Sequence, residues 1–357
     1  MAATALPRYD AARTYRDNYD YPPPLPTVAE SPAPVPDGWT FCGRRVGSPL
    51  GMPAGPLLNG KWILYYAALG FDVLTYKTVR SVARECYPLP NLQPVTTGQL
   101  TGSESEVPAT NEPSGSWAVS FGMPSAEPDK WRADVEWTRR HLTADKLLSV
   151  SVVGSVQPDW SLSDLADDYA RCAKWVVESG ADAVESNFSC PNVSTCDGQL
   201  YQQPKDAALV AERIRDAVGK TPFIIKIGSM TDRAAAAELL DAVAPFVDAL
   251  AMTNSVATKV RQPDGAYLFD GQRRGICGDA TRTASLQQTR LFCDLIREGG
   301  LKISIIGVGG ISTAEHVRQF LDAGAESVHI ATAAMLDPSI ALKIRKDLAA
   351  GPQGTNR

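Results

Sequence analysis

Residues 303–332 read ISIIGVGGISTAEHVRQFLDAGAESVHIAT. Ile303–Gly307 is a short run rich in Ile, as expected of a strand buried on both faces. Ser312-Thr313 offers a helix start, residues 314–323 carry apolar side chains at spacings of three and four, and Gly324 offers a stop. Ser327–Ala331 then reads as a second strand. A strand–helix–strand unit crosses over right-handedly, so its two strands lie parallel.

The same alternation extends in both directions. Strand-like runs occur at Pro49–Ala54, Asp72–Lys77, Leu147–Val153, Ala181–Asn187, Pro222–Lys226 and Ala249–Thr253. Helix-like spacing occupies Leu162–Glu178, Asp206–Val218, Arg233–Val243, Ser285–Glu298 and Asp337–Leu348. Eight strands alternating with helices predict an α/β protein, a (β/α)8 TIM barrel. The alternative, an open doubly wound sheet, wants a Gly-x-Gly-x-x-Gly turn after its first strand, and residues 51–60 do not supply one.

The barrel is expected over residues 47–350, with a disordered tail at 351–357. Residues 1–46 begin Tyr/Arg/Asp-rich and continue through prolines from Pro22 to Pro36, which predicts an extended arm along the body; a contact between subunits is the second reading. A long interruption at about 84–125 separates the second and third strands. Its stretch Thr97–Ser116 is rich in Thr, Ser, Gly, Glu and Pro, and is expected to be a loop covering the barrel top.

Bulk composition narrows the function. The 357 residues are 44% hydrophobic, enough for a large core. The formal charge of −5 argues against a nucleic-acid groove, and no run of about 18 apolar residues predicts a membrane span. With no basic-then-apolar start, a cytoplasmic protein is expected. The seven cysteines are scattered and include no Cys-x-x-Cys pair, and the three histidines are not at metal-ligand spacing, so no metal is expected. Proton chemistry therefore falls to Cys, Lys, Ser or a carboxylate.

Barrel enzymes build their sites at the C-terminal ends of the strands. Strand one ends in the small residues Ala54 and Gly55, which let a flat ligand approach the backbone. Strand two ends in Lys77, strand five in Lys226, and strand six at Thr253-Asn254-Ser255. Lysines closing apolar strands either pair with a carboxylate such as Glu185 or line a cavity beside an electron-rich ring. Gly309-Gly310 after strand seven and Ala331-Thr332 after strand eight occupy the usual barrel phosphate site, where backbone N–H groups bind a dianion. Strand four runs into Asn187-Phe-Ser-Cys-Pro-Asn192, a thiol between two carboxamides on a loop stiffened by Pro191. Taken alone, this segment also reads as a buried Cys in a turn.

Seven elements then occur in one order: Lys77-Thr78, Asn187–Asn192, Ile225-Lys226, Asn254-Ser255, Gly275-Ile-Cys-Gly278, Ile306–Ile311 and Ile330-Ala-Thr332. From about Ser48 to Leu348 the chain resembles class 1 dihydroorotate dehydrogenases, and more broadly the FMN-dependent barrels that include dihydropyrimidine dehydrogenase. The resemblance implies FMN held non-covalently at the barrel mouth. Its contacts would be Ala54, Gly55, Lys77 and Thr78 from the first two strands, and Asn187, Lys226 and Thr253 from the next. Gly278, Gly309, Gly310, Ala331 and Thr332 would complete the set. It implies Cys190 as the base that removes the C5 proton of dihydroorotate, hydride passing from C6 to flavin N5 to give orotate. Lys77 has a second role there, holding the small-molecule substrate together with Asn187, Asn192, Asn254 and Ser255, while Gly122 and Met123 lie in the family's substrate loop. A homodimer is also implied, as is a soluble electron acceptor, either fumarate or a separate electron-transfer subunit. Class 2 members carry Ser at the base position, which here is Cys190.

One departure bears on the substrate. The family's Asn-Ser-x-Gly-x-Pro-Asn segment stands here as Val119-Ser-Phe-Gly-Met-Pro-Ser125, so an Asn that binds the substrate ring is replaced by Val119. The alternative function is therefore a related FMN oxidoreductase acting on another dihydropyrimidine, cyclic amide or enone. Two further readings are a tRNA dihydrouridine synthase, disfavoured by the acidic charge, and a phosphate-binding barrel without redox chemistry, disfavoured by the lysines and the Cys loop.

Overall fold

A computed structural model describes residues 6–27, 31–36, 38–112, 115–189 and 196–351. Its core is a closed barrel of eight parallel strands: β1 (Leu50–Met52), β2 (Val73–Val79), β3 (Leu147–Val152), β4 (Ala183–Asn187), β5 (Phe223–Lys226), β6 (Ala249–Met252), β7 (Ser304–Val308) and β8 (Ser327–His329). They pair in chain order, and β8 closes on β1. Each overlaps a run expected from the sequence. The helices that follow them are α1 (Gly60–Ala68), α2 (Pro128–His141), α3 (Leu162–Glu178), α4 (Pro204–Val218), α5 (Arg233–Val243), α6 (Arg282–Gly299), α7 (Ala314–Asp322) and α8 (Ile340–Ala349). Among the described residues, no helix is long and apolar enough to cross a membrane.

Local chemistry sets the helix ends. Asp232 and Thr313 cap α5 and α7, accepting hydrogen bonds from the N–H groups of Ala235 and His316. Ser161 and Asp164 form a reciprocal capping box at the start of α3. Gly324, at φ +102°, ends α7 in a backbone conformation that L side chains rarely adopt.

Alternating strand residues fill the barrel in layers. The lowest holds Val73, Leu147, Ala183, Ile224 and Ala249, and Phe41 and Val46 pack against it from below. These two come from the N-terminal segment, where Thr40–Phe41 pairs antiparallel with Arg44–Arg45. The middle layer is polar, with Thr75, Ser149, Glu185 and His329 all buried. The upper layer carries Lys77, Ser151, Asn187 and Lys226, with Lys226 directly beside Asn187 in register.

Two expectations change. The arm is not wholly extended: Tyr15–Asp20 is a helix, because Thr14 and Asp17 form a second reciprocal capping box. Trp62 Nε1 donates to Asn18 O at 2.9 Å and Asn59 Nδ2 to Tyr19 O at 2.8 Å, tying this helix to α1. The interruption after β2 is likewise not a bare loop. Leu92–Pro94, Ser116–Val119 and Glu106–Pro108 join Arg274–Gly278 and Val256–Arg261, from the segment after β6, in a five-stranded sheet. Pairing between segments about 150 residues apart gives the polar stretch its order, which local composition does not reveal. Cys190, Asn192 and the tail beyond Gly351 lie outside the described residues.

Candidate active site

A cavity of about 380 Å³ opens at the C-terminal ends of the strands, between the barrel and the five-stranded sheet. Every described residue expected to bind a cofactor or substrate lines it. Ala54 and Gly55 follow β1, Lys77 and Thr78 lie on β2, and Asn187 and Lys226 end β4 and β5. Thr253, Asn254 and Ser255 follow β6; Gly309 and Gly310 follow β7; Ala331 and Thr332 follow β8. Gly278 comes from the covering sheet, and Gly122 and Met123 from the loop ahead of α2.

Hydrogen bonds fix several of these side chains. Asn187 Oδ1 accepts from the Ser189 N–H at 3.0 Å and from its hydroxyl at 3.2 Å, while Asn187 Nδ2 points to Met123 Sδ at 3.6 Å. Asn254 Nδ2 donates to Ser189 O at 3.3 Å. The chain is therefore anchored at the cavity one residue before Cys190. Thr253 Oγ1 donates to Gln288 Oε1 at 2.7 Å, which turns the threonine toward α6.

The turn after β7 requires glycine. Gly309 has φ +125° and Gly310 φ +69°. A Cβ on Gly309 would lie 2.2 Å from Ser285 Oγ, and one on Gly310 would lie 2.5 Å from Arg282 Cβ. The two glycines thus let the turn pack against the start of α6 while its backbone lines the cavity. The Ser285 hydroxyl, packed behind Gly309 and not part of the cavity lining, is buried without a hydrogen-bond partner.

The cavity floor holds two groups that sequence reading did not assign to the site. Glu185 and His329 are each 1% exposed, both line the cavity, and neither side chain has a hydrogen-bond partner. Burial pushes the Glu185 carboxyl above its ordinary pKa, opposed by the Lys226 charge and the Ser151 hydroxyl. Burial, then Lys226, lowers His329 to about 3, so its ring is neutral. Gly51 makes room for this imidazole: a Cβ there would sit 2.2 Å from His329 Cδ2. The signal for Glu185 was available, since it shares strand parity with Asn187 and therefore points inward. His329 is placed inward by the same rule, but a lone histidine in a strand does not announce a cavity.

The covering sheet supplies an apolar wall of Leu92, Trp117, Val119 and Phe121. Val119 faces the cavity from a strand paired with Gly275 on one side and Leu92 on the other. Cys277, on the same wall, is pushed up to about 11 by burial, against the pull of Lys226, and is therefore a neutral thiol at pH 7.

The profile of the dihydroorotate dehydrogenase family matches residues 38–351. The chain belongs to the dihydroorotate dehydrogenase family. Dihydroorotate dehydrogenase of Dictyostelium discoideum is 31% identical over 361 residues, covering 94% of this chain and 96% of that protein. The catalytic subunit of dihydroorotate dehydrogenase B (NAD(+)) from Maridesulfovibrio salexigens is 32% identical over 177 residues, 48% of this chain and 54% of that one. In fold, the chain resembles the crystal structure of DHODH from Eimeria tenella in complex with ferulenol. The TM-score is 0.73 at 18% identity, over 91% of this chain and 86% of that one.

This family uses FMN. The residues present fit that group: a two-glycine turn whose backbone lines the cavity for a phosphate, small residues after β1 for a flat ring, and two lysines beside it.

Proposed function

We propose that the chain is an FMN-dependent oxidoreductase that converts dihydroorotate to orotate, oxidising a CH–CH bond in pyrimidine biosynthesis. The observation that carries this reading is the convergence of Lys77, Asn187, Lys226, Asn254 and the Gly309-Gly310 turn on one cavity, in a chain of this family. FMN, when bound, supplies the hydride acceptor.

The chain's own residues divide the remaining work. Backbone N–H groups at Gly309, Gly310, Ala331 and Thr332 hold the phosphate, and Ala54, Gly55 and Gly278 leave space for the ring. Thr78, Asn187, Lys226 and Thr253 bind its polar edges, with Lys226 favouring negative charge there. On the substrate, Lys77 pairs with the carboxylate, and Asn187, Asn192, Asn254 and Ser255 hold the ring amides through matched donor and acceptor edges. Gly122 and Met123 close one side. Cys190 Sγ takes the proton from C5, and the Asn254–Ser189–Asn187 hydrogen bonds anchor the chain leading to it. The covering sheet excludes water, which strengthens each of these polar contacts.

The test is flavin content followed by turnover. Purified protein should carry one FMN per chain and form orotate from dihydroorotate with fumarate or an artificial dye as acceptor. A flavin-loaded protein that leaves dihydroorotate unchanged but is reduced by another cyclic amide or enone would support the second reading, which Val119 favours.

A further inference from the structure

Beneath the lysine that faces the cavity lies a carboxyl group that the reaction so described does not use. Glu185 sits on β4 two residues before Asn187, with its side chain in the middle layer of the barrel. Its register partner on β5 is Ile224, two residues before Lys226, so the carboxyl lies one layer below the ammonium. Neither carboxylate oxygen makes a hydrogen bond of full geometry, the Ser151 hydroxyl acting on it only weakly, although the residue is almost wholly enclosed. A structural buried carboxylate is ordinarily held by several donors, and one left without them responds strongly to nearby charge.

The groups facing it from the surrounding strands define that response. Lys226 on β5 and Lys77 on β2 are the cations, and His329 on β8 is the other titratable group. Thr75 on β2 and Ser149 and Ser151 on β3 are hydroxyls. From β1, β6 and β7 come Gly51, Ala251 and Ile306, which carry no charge. Lys226 is the cation shown to act on the carboxyl, favouring its ionised form. It is also the cation set against the ring site, so negative charge gained in the cavity competes with Glu185 for it.

We propose that Glu185 is a redox-linked proton acceptor, taking up one proton when the cavity's ligand gains two electrons and releasing it on reoxidation. The inference rests on the reading that the cavity holds FMN. Electrons come from the substrate through the established family reaction. The added proton comes from water and ends on a carboxylate oxygen of Glu185, so the enclosed site gains one negative charge fewer than it otherwise would. His329 is not the acceptor, because its protonation would place a second buried cation against Lys226.

The test is a potentiometric titration of FMN-loaded protein between pH 6 and pH 8, followed by absorbance, for wild type, Glu185→Gln and His329→Gln. Wild type and His329→Gln should take up one more proton per two electrons than Glu185→Gln. For a two-electron couple this is a potential steeper by about 30 mV per pH unit. The reduced-minus-oxidised infrared spectrum of wild type, which needs no variant to fold, should gain a protonated-carboxyl C=O band. Equal slopes in all three proteins, or a wild-type spectrum without that band, overturns the proposal. A protein that binds no FMN overturns instead the reading on which the proposal rests.

Discussion

The ring of Tyr9 meets that of Phe121 edge-on, with centroids 6.1 Å apart and planes at 80°. Tyr15 meets the same ring at 6.1 Å and 71°. Phe121 lines the cavity, so the N-terminal segment braces one of the cavity's walls. Such a ring pair contributes about 0.5–1.5 kcal/mol beyond area burial. Tyr9→Ala should therefore raise the KM for dihydroorotate about two- to tenfold with little change in kcat. Tyr9→Phe should behave as wild type. Steady-state kinetics of the two variants checks this, and a fall in kcat at unchanged KM would remove the bracing role.

At the phosphate turn, Gly310→Ala combines a left-handed backbone with a Cβ placed 2.8 Å from Arg282 Cα and 2.9 Å from Arg282 N. The strain should cost about 1–3 kcal/mol. Because it falls on the turn that would hold the phosphate, FMN affinity should drop about five- to a hundredfold, roughly that free energy expressed as a dissociation constant. Fluorescence titration of apoprotein with FMN measures it. Gly219→Ala is the matched control, since it shares the left-handed backbone at φ +59°, its Cβ meets nothing within 4 Å, and it does not line the cavity.

Val119→Asn tests the departure in the substrate loop. Val119 cannot pair with an amide of a bound ring, and an unpaired buried polar group costs roughly 1–3 kcal/mol. The variant should lower the KM for dihydroorotate by about five- to a hundredfold if the substrate lies against this wall. A rise in KM instead would show that the apolar wall suits a different ring.

His329 gives a pH dependence of defined sign. Its folded pKa of about 3 lies below the ordinary 6.5. The unfolded chain thus binds a proton there that the folded protein refuses, and stability is lost as pH falls from 6.5 toward 3. The loss is about 1.4 kcal/mol per pH unit within that window. Glu185 shifts the opposite way, so the readout is a difference. Between pH 6.5 and 5, denaturant unfolding of wild type should weaken faster than that of His329→Gln. Parallel curves would mean that the imidazole is not held neutral.

The barrel was legible because each strand carries its own signal: a short run rich in Val, Ile and Ala, bounded by turns, needs no distant partner to be recognised. The site was legible to the same degree, since Lys77, Asn187, Lys226 and Gly309 sit at strand ends. The covering sheet was not, because its register joins Val119 to Gly275, and local composition carries no trace of that pairing. Tyr9 and Tyr15 escaped for a related reason: a Pro-rich prefix predicts extended chain, whereas the Thr14–Asp17 cap and the Phe121 contact create a helix and a seat for it. Glu185 was visible only as a partner for the lysines, and its lack of hydrogen bonds is a property of the folded barrel alone.

The most direct measurement is anaerobic mixing of FMN-loaded protein with dihydroorotate, following flavin absorbance near 450 nm and the orotate formed. Wild type should bleach and release one orotate per flavin. Cys190→Ala should bleach more slowly by about 10²–10⁴-fold, the usual contribution of a positioned base, while still binding FMN. A loaded wild-type protein that stays yellow, or a Cys190→Ala variant that bleaches at the wild-type rate, would contradict the account.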